Sequence, residues 1–260
     1  MSLRVAACGV LGADAETIAR WRKEPINFAG ESLSVSFLRH ADEQTVVALR
    51  AVLAAVSPQG WNEMSFRDWG VIAAGNFLGR SIMAQTVERL IQEGAWGVSP
   101  HFIPHQSLHA MSGTISQALK IHGPNFGVSG GPNASLDAFL VASAMMMDRQ
   151  LPGLWLVLSG HDSECIPPRP SASAPPPTCR AVALAMTHPN AGEPGIHVSV
   201  GCSLPNAGPA ESLAYLPEFH ISNLAEVLKD DPPAPAQTWR LGDTHWLEVE
   251  TLLAAMEGAA

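Results

Sequence analysis

The sequence is poor in charged residues. Only 15% of its 260 residues are Asp, Glu, Lys or Arg, whereas about a quarter is usual, and 24 acidic residues outnumber 15 basic ones. A net charge of −9 without a basic stripe argues against a nucleic-acid-binding protein. Because hydrophobic residues make up 47% of the chain, the composition also excludes a disordered protein and predicts a large buried core.

Long hydrophobic runs and patterned cysteines are missing as well. No apolar run reaches the roughly 18 residues that a membrane-spanning helix needs, and residues 1–10 lack the length and cleavage pattern of a secretory signal. The four cysteines are scattered and form no CxxC pair, which argues against a zinc knuckle and a disulfide scaffold. These absences favour a cytoplasmic protein.

Short apolar runs alternate with helical patterns up to residue 160. This alternation is typical of a mixed or parallel sheet with helices on both faces, so the chain is predicted to be an α/β protein with a single domain over residues 1–260. The predicted strands are residues 3–10, 33–38, 69–74, 126–129 and 153–159, and the predicted helices are residues 15–23, 45–56, 81–93, 107–121 and 135–147.

The second part of the chain has a different texture. Residues 166–178 hold six prolines and are predicted to be an extended loop. Residues 181–186 and 196–200 indicate two further strands, which we expect to form a hairpin. Residues 231–260 are predicted to be a C-terminal extension with a helix around residues 245–256.

The most informative stretch is residues 103–139, which indicates a helix, a Gly-Pro turn, a short strand, a glycine-rich turn and another helix. A strand that turns sharply into a helix holds one residue at a strained apex. The amides at the start of that helix can bind an anion or an oxyanion. This is the architecture of a nucleophile elbow, where a Cys or Ser would occupy the apex.

The same stretch resembles the β-ketoacyl synthases of the thiolase superfamily. The turn KIHGP at residues 120–124 resembles the family's Gly-Leu-Lys-Gly-Pro turn, and GGPNAS at residues 130–135 resembles its Ala-Cys-Ser-Ser elbow. Downstream, LWLVLSGHDSE at residues 154–164 is similar to the strand that ends in Gly-Gly-x-Glu. The resemblance runs from about Arg4 to Val200. It implies a thiolase-like mixed sheet flanked by helices, like the N-terminal half of a ketosynthase.

The chain departs from the family at its catalytic residues. Pro132 stands at the position of the nucleophilic cysteine, and proline has neither a nucleophilic group nor a backbone N–H. The family's two catalytic histidines come from a second half that we do not expect in this chain. Residues 242–245 faintly resemble one of its histidine motifs, but a lone His245 before an apolar helix is more often structural. The resemblance therefore predicts no catalytic residue.

Nucleophile-free relatives of this kind are the chain-length factors of type II polyketide and aryl-polyene systems. The resemblance implies a heterodimer with an active ketosynthase, whose acyl tunnel the chain shapes, and only indirect contact with an acyl carrier protein. It implies an interface at the short strand and a tunnel wall on the preceding helix. The interface candidates are Phe126, Gly127, Val128 and Ser129, and the tunnel candidates are Ser107, Leu108, His109, Met111 and His161.

No cofactor or metal is predicted. His101, His105 and His109 recur every four residues, but Pro104 interrupts them and no acidic ligand follows.

Two alternatives remain open. Residues 127–131 match G-x-S-x-G, which would make Ser129 the nucleophile of a stand-alone hydrolase or acyltransferase. Its base would be His161 or His109 and its orienting acid Asp162 or Asp137, with Ser135 as a second nucleophile candidate. The other alternative is a homodimeric acyl-binding scaffold without catalysis.

Overall fold

The computed structural model describes residues 2–98, 105–128, 131, 133–147, 150–162, 178–190, 193–202, 213, 215–229 and 236–252. The strands are β1 (Ser2–Ala13), β2 (Ile26–Phe28), β3 (Glu31–Leu33), β4 (Gly70–Gly75), β5 (Asn125–Gly127), β6 (Leu154–His161), β7 (Cys179–Thr187), β8 (Gly195–Cys202), β9 (Ala236–Leu241) and β10 (His245–Leu252). The α-helices are α1 (Ala15–Trp21), α2 (Glu43–Val56), α3 (Arg80–Glu93), α4 (His109–Leu119), α5 (Ala134–Met147) and α6 (Ile221–Val227).

Eight of the strands form one mixed sheet in the order β5-β4-β6-β7-β1-β8-β10-β9. β4 runs parallel to both β5 and β6, and the remaining neighbours are antiparallel. β2 and β3 form a separate two-stranded hairpin. β5 and β9 therefore form the two edges of the large sheet.

The sheet is buried on both faces by helices. All six residues of β4 are buried, and its side chains alternate between two hydrophobic cores because successive residues of a strand point to opposite faces. Val71 and Ala73 belong to the core that includes α2 and α4, whereas Ile72 and Ala74 belong to the core that includes α5 and α6. No helix among the described residues is long and apolar enough to cross a membrane.

The predicted mixed α/β architecture is confirmed, but two local predictions are wrong. β7 and β8 do not form a hairpin, because β1 lies between them and pairs with both. Residues 245–252 form β10 and not a helix. In β10, Leu247 and Val249 are buried while their neighbours are not, and this two-residue period fits a strand packed on one face.

A third local prediction, the strand over residues 33–38, is also wrong, and two others concern residues outside the described part of the chain. β3 ends at Leu33 and turns follow it, so no strand extends to residue 38. The proline-rich segment lies outside the described residues except for Thr178. Residues 253–256 of the predicted C-terminal helix lie outside them too.

Candidate functional site

A short strand leads into a helix at the position predicted for the elbow. Val128, which directly follows β5, donates its N–H to the carbonyl of Ala73 in β4 at 3.0 Å. α5 begins at Ala134, and its first turn is closed by the Asp137 N–H, which donates to the Asn133 carbonyl at 3.1 Å. Ser129, Gly130 and Pro132 lie outside the described residues. The strand and the helix that flank the predicted elbow are thus present in the predicted order.

The start of α4 is packed directly onto β5. A Cβ added to Gly127 would lie 1.8 Å from the Leu108 carbonyl oxygen, so only glycine allows the two backbones this close. Phe126 and Leu108 are 49% and 43% exposed. Two large apolar side chains therefore lie exposed on segments that meet at Gly127, at the edge of the sheet.

The tunnel candidates on α4 and just before it lie in different environments. Leu108 and His109 are exposed and Ser107 is half-buried, whereas Met111 is fully buried in the core. The His109 ring lies over Gly113, where an added Cβ would be 3.3 Å from His109 Nε2. Of this group, Leu108 and His109 are the two whose side chains are exposed on the surface.

A buried polar network joins α2 to the ends of β4 and β6. The Ser159 hydroxyl donates to Gln44 Oε1 at 2.9 Å, and Gln44 Nε2 donates to the Asn76 carbonyl at 2.9 Å. Ser159 Oγ also lies 3.7 Å from Met111 Sδ. Gln44 is 2% exposed and Ser159 is fully buried, so the network fixes the carboxyl edge of the parallel strands to α2.

His161 ends β6 next to the acidic first turn of α2. Its Nε2 lies 3.4 Å from Glu43 Oε2, and this hydrogen bond holds the pKa of Glu43 below its ordinary value. Asp162 instead accepts two bonds from Arg180 at 2.9 and 2.8 Å, which lower its pKa. His161 and Asp162, one base and one acid considered for a Ser129 hydrolase, therefore bond to Glu43 and Arg180 respectively.

A cavity of about 300 Å³ opens at the carboxyl ends of β4 and β6 and at the start of α5. Its lining includes Asn76, Asn133, Ser135, His161, His220 and Arg240. The sequence placed His161 at such an edge, where sites on open α/β sheets gather. It did not reveal His220 or Arg240, because no local pattern connects residues so distant in the chain.

Metal-binding residues do not cluster in the described part of the chain: no group of three His, Cys, Asp or Glu side chains there could hold a metal ion. His101 lies outside that part.

Asp42, the N-cap of α2, is expected to make stability depend on pH. Burial raises the pKa of its carboxyl, although that carboxyl accepts from the Gln44 N–H at 2.8 Å. A raised folded-state pKa contributes stability that is complete below the unfolded-state pKa and is lost as pH rises through the folded-state pKa. Asp42→Asn keeps the capping oxygen and removes the titration. The variant should therefore unfold with a higher free energy than the wild type at pH 7, and the difference should shrink on acidification.

Urea unfolding of both proteins from pH 7 down to about pH 4 measures this difference. Asp42→Ala is the control, because it also removes the charge but loses the cap at a cost of about 1 kcal/mol. An Asp42→Asn variant less stable than Asp42→Ala at pH 7 would contradict the account.

Comparisons with known proteins agree with this geometry. The model of the β-ketoacyl synthase N-terminal domain matches residues 21–150, half of the chain. A ketosynthase in complex with its chain length factor from Xenorhabdus doucetiae superposes with a TM-score of 0.57 at 13% identity, covering 95% of this chain and 99% of that chain. The ishigamide ketosynthase/chain length factor gives a TM-score of 0.59 at 13% identity, covering 98% of this chain and 100% of that chain.

A third solved structure is a type II polyketide acyl carrier protein in complex with its ketosynthase. It gives a TM-score of 0.59 at 12% identity and covers 96% of this chain and 99% of that chain. No curated protein matches the sequence. From the domain match and the shared fold, the chain belongs to the β-ketoacyl synthase family through its N-terminal domain.

Proposed function

We propose that the chain is a non-catalytic subunit of the chain-length-factor type. It pairs with an active β-ketoacyl synthase and shapes the acyl tunnel of that enzyme in fatty-acid-like or polyketide biosynthesis. The residue that carries the proposal is Pro132, which the family resemblance places at the position of the nucleophile. A thioester cannot form on proline, so a family member with this residue needs a partner to supply the nucleophile.

The lengths of the matched chains support a subunit role. The superposition covers 95–98% of this chain and 99–100% of the matched chains in three ketosynthase complexes. Those chains are therefore about as long as this one. Two of the three complexes are named as a ketosynthase with a chain length factor.

The free edge of β5 is a suitable surface for the pairing. Among the described residues, β5 has a neighbouring strand on one side only, which is β4. An open strand edge offers unpaired backbone N–H and C=O groups to another chain, and here the exposed Phe126 and Leu108 lie beside it. Through the family resemblance, we assign Phe126, Gly127, Val128 and Ser129 to the contact with the ketosynthase.

The acidity of the chain bears on the carrier protein. With a net charge of −9, the chain repels an acidic partner at long range. We therefore propose that an acyl carrier protein, which is acidic in this family, reaches the complex mainly through the ketosynthase subunit.

Purification of the tagged chain from its own cells, followed by native mass spectrometry, tests the proposal. The expected result is a one-to-one complex with a chain that peptide masses identify as a β-ketoacyl synthase with an intact cysteine elbow. A monomer or a homodimer alone would contradict the proposal. Labelling of Ser129 by a fluorophosphonate would then favour the hydrolase alternative, and bound fatty acid in a homodimer would favour the acyl-binding scaffold.

A further inference from the structure

The cavity at the carboxyl ends of β4 and β6 has room for a small molecule. Its volume of about 300 Å³ lies at the lower end of the usual range for ligand sites. More than half of its lining residues carry polar or charged side chains, so the space suits a compact polar molecule better than a long acyl chain. A second cavity of about 230 Å³ adjoins it, since five residues line both: Asn76, His161, Asp162, His220 and Ile221.

Asn76 provides a buried hydrogen-bond acceptor in the lining of both cavities. Its backbone is held on both sides, because its N–H donates to the Ser159 carbonyl at 2.8 Å and its carbonyl accepts from Gln44 Nε2 at 2.9 Å. Its side-chain oxygen Oδ1 is buried, and no residue in the described part of the chain donates a hydrogen bond to it. Buried polar atoms in proteins almost always have a partner. This oxygen is therefore placed to accept from an O–H or N–H group of a bound molecule.

Arg240 on β9 provides a buried donor in the lining of the larger cavity. Its backbone N–H donates to the Pro217 carbonyl at 2.8 Å, and its carbonyl accepts from the Phe219 N–H at 2.9 Å. The side-chain Nε is buried and has no acceptor among the described residues. Guanidinium N–H groups match the geometry of a carboxylate. Arg240 is therefore placed to bind the anionic group of a ligand.

The other charged groups of this lining favour a ligand with one negative charge. Its two carboxylates, Asp162 and Glu218, are both exposed, where solvent screens their charge. Asp162 is in addition bound by Arg180 through two hydrogen bonds. The first turn of α5 contributes a positive potential, since the N-terminus of a helix is positive and the buried Ser135 of that turn lines the cavity. Arg240 and this helix end together attract an anion and repel an ammonium group.

The residue after Asn76 has a strained backbone. Phe77 lines the cavity and has a φ of +52°, a left-handed conformation that is rare for a bulky side chain. The Arg80 guanidinium lies 4.8 Å from the centre of the Phe77 ring. Such strain is concentrated at ligand-binding and active sites, because the surrounding fold must stabilise it. The strain at Phe77 thus supports a binding role for this end of β4.

We infer that this cavity binds a small hydroxy acid. The carboxylate of the ligand accepts from Arg240, and its hydroxyl donates to Asn76 Oδ1. A hydroxyl is favoured over an ammonium group as the donor, because Arg240 and the start of α5 repel a second positive charge. The inference does not depend on the proposed function, since every residue in it belongs to this chain and none lies on β5.

An NMR titration of the isotope-labelled chain with β-hydroxybutyrate tests the inference. The matched probes are butyrate, which lacks the hydroxyl, and the methyl ester of β-hydroxybutyrate, which lacks the negative charge. Lactate is the shorter hydroxy acid. β-Hydroxybutyrate should bind about tenfold more tightly than butyrate or the ester, the effect of one hydrogen bond that involves a charged or buried group. The shifted signals should include those of Asn76 and its neighbours at the end of β4.

Two variants test the assigned contacts. Arg240→Gln should weaken the binding of β-hydroxybutyrate about tenfold, because the charged donor is lost. Asn76→Ala should remove the preference for β-hydroxybutyrate, so that butyrate binds equally well. The matched control is Arg67→Gln, which should bind like the wild type, because Arg67 is exposed just before the opposite end of β4. Circular dichroism should be unchanged, since Asn76 Oδ1 and Arg240 Nε have no partner to lose among the described residues.

The outcomes decide the inference without reference to the ketosynthase. Selective binding of the hydroxy acid that both variants reduce as stated supports the inference. Absence of binding by both β-hydroxybutyrate and lactate would overturn it. Equal affinities for β-hydroxybutyrate, butyrate and the ester would overturn it too, because they indicate adventitious binding only. The ligand series uses the wild-type chain, so it gives an answer even where a variant does not fold.

Discussion

Replacement of Phe126 by lysine is expected to weaken assembly with the ketosynthase about a hundredfold, the effect of losing a central aromatic contact. Phe126 lies on the open edge of the sheet, where a lysine both opposes strand pairing and places a charge in a buried contact. The fold should persist, because the side chain is already 49% exposed in the isolated chain. Isothermal titration of the purified subunits measures the change.

The opposite edge of the sheet supplies the control. Gln237 is exposed on β9, so Gln237→Lys introduces the same charge on an edge strand that the account assigns no partner. It should bind the ketosynthase like the wild type. Equal weakening by the two substitutions would show that a general charge effect, and not the β5 edge, is responsible.

The second large effect is expected at Gly9 in the middle of β1. α2 crosses this strand so closely that a Cβ added to Gly9 would lie 2.0 Å from the Ala51 carbonyl oxygen. No side-chain rotation relieves a clash with backbone, so Gly9→Ala must displace α2 from the sheet. We expect the free energy of unfolding to fall by about 3 kcal/mol or more, at or above the top of the usual range for an overpacked core.

Gly12 on the same strand provides the matched substitution. The nearest atom to an added Cβ there is Thr178 Cγ2 at 3.5 Å, which is an ordinary contact. Because glycine within a strand is less favourable than alanine, Gly12→Ala should be neutral or slightly stabilising. Urea titration of both variants measures the comparison, and a Gly9→Ala protein as stable as Gly12→Ala would refute the close approach of α2.

The parts of the fold that the sequence predicted are those with a strong local pattern. The helix predicted at residues 45–56 is α2, and the strand predicted at residues 69–74 is β4 within one residue at each end. Asp14 directly precedes α1 in the sequence, as an N-cap residue should, and its carboxylate accepts from the Thr17 N–H at 2.8 Å. Apolar periodicity and capping act over a few residues, so they can be recognised without a structure.

The parts of the fold that the sequence did not predict depend on the pairing of strands that are distant in the chain. Residues 245–252 contain apolar residues that also suit a helix, and pairing with β8 and β9 makes them a strand. The insertion of β1 between β7 and β8 likewise has no local signal. Tertiary contacts decide whether such a segment forms a helix or a strand. Intrinsic propensity is a weak guide when the apolar residues fit both the helical and the strand period.

The candidate site shows the same division. The family resemblance predicted the strand that ends in His161 and the two elements that flank the elbow, but the Gln44–Ser159 bond joins residues that are far apart in the sequence. One signal was present: Gln44 is a polar residue in the first turn of a largely apolar helix, where a buried amide needs partners. The pattern at residues 81–93 predicted a helix with an apolar face, but it did not indicate that this face lacks a cover in the isolated chain.

The most direct test of the account is to find which subunit carries the acyl group. The ketosynthase complex is incubated with an acyl-loaded carrier protein, and the intact mass of each subunit is measured. The account predicts an acyl group on the ketosynthase and none on this chain, and no transfer to either when the ketosynthase cysteine is replaced by alanine. Acyl transfer to this chain that persists with the substituted ketosynthase would contradict a non-catalytic role.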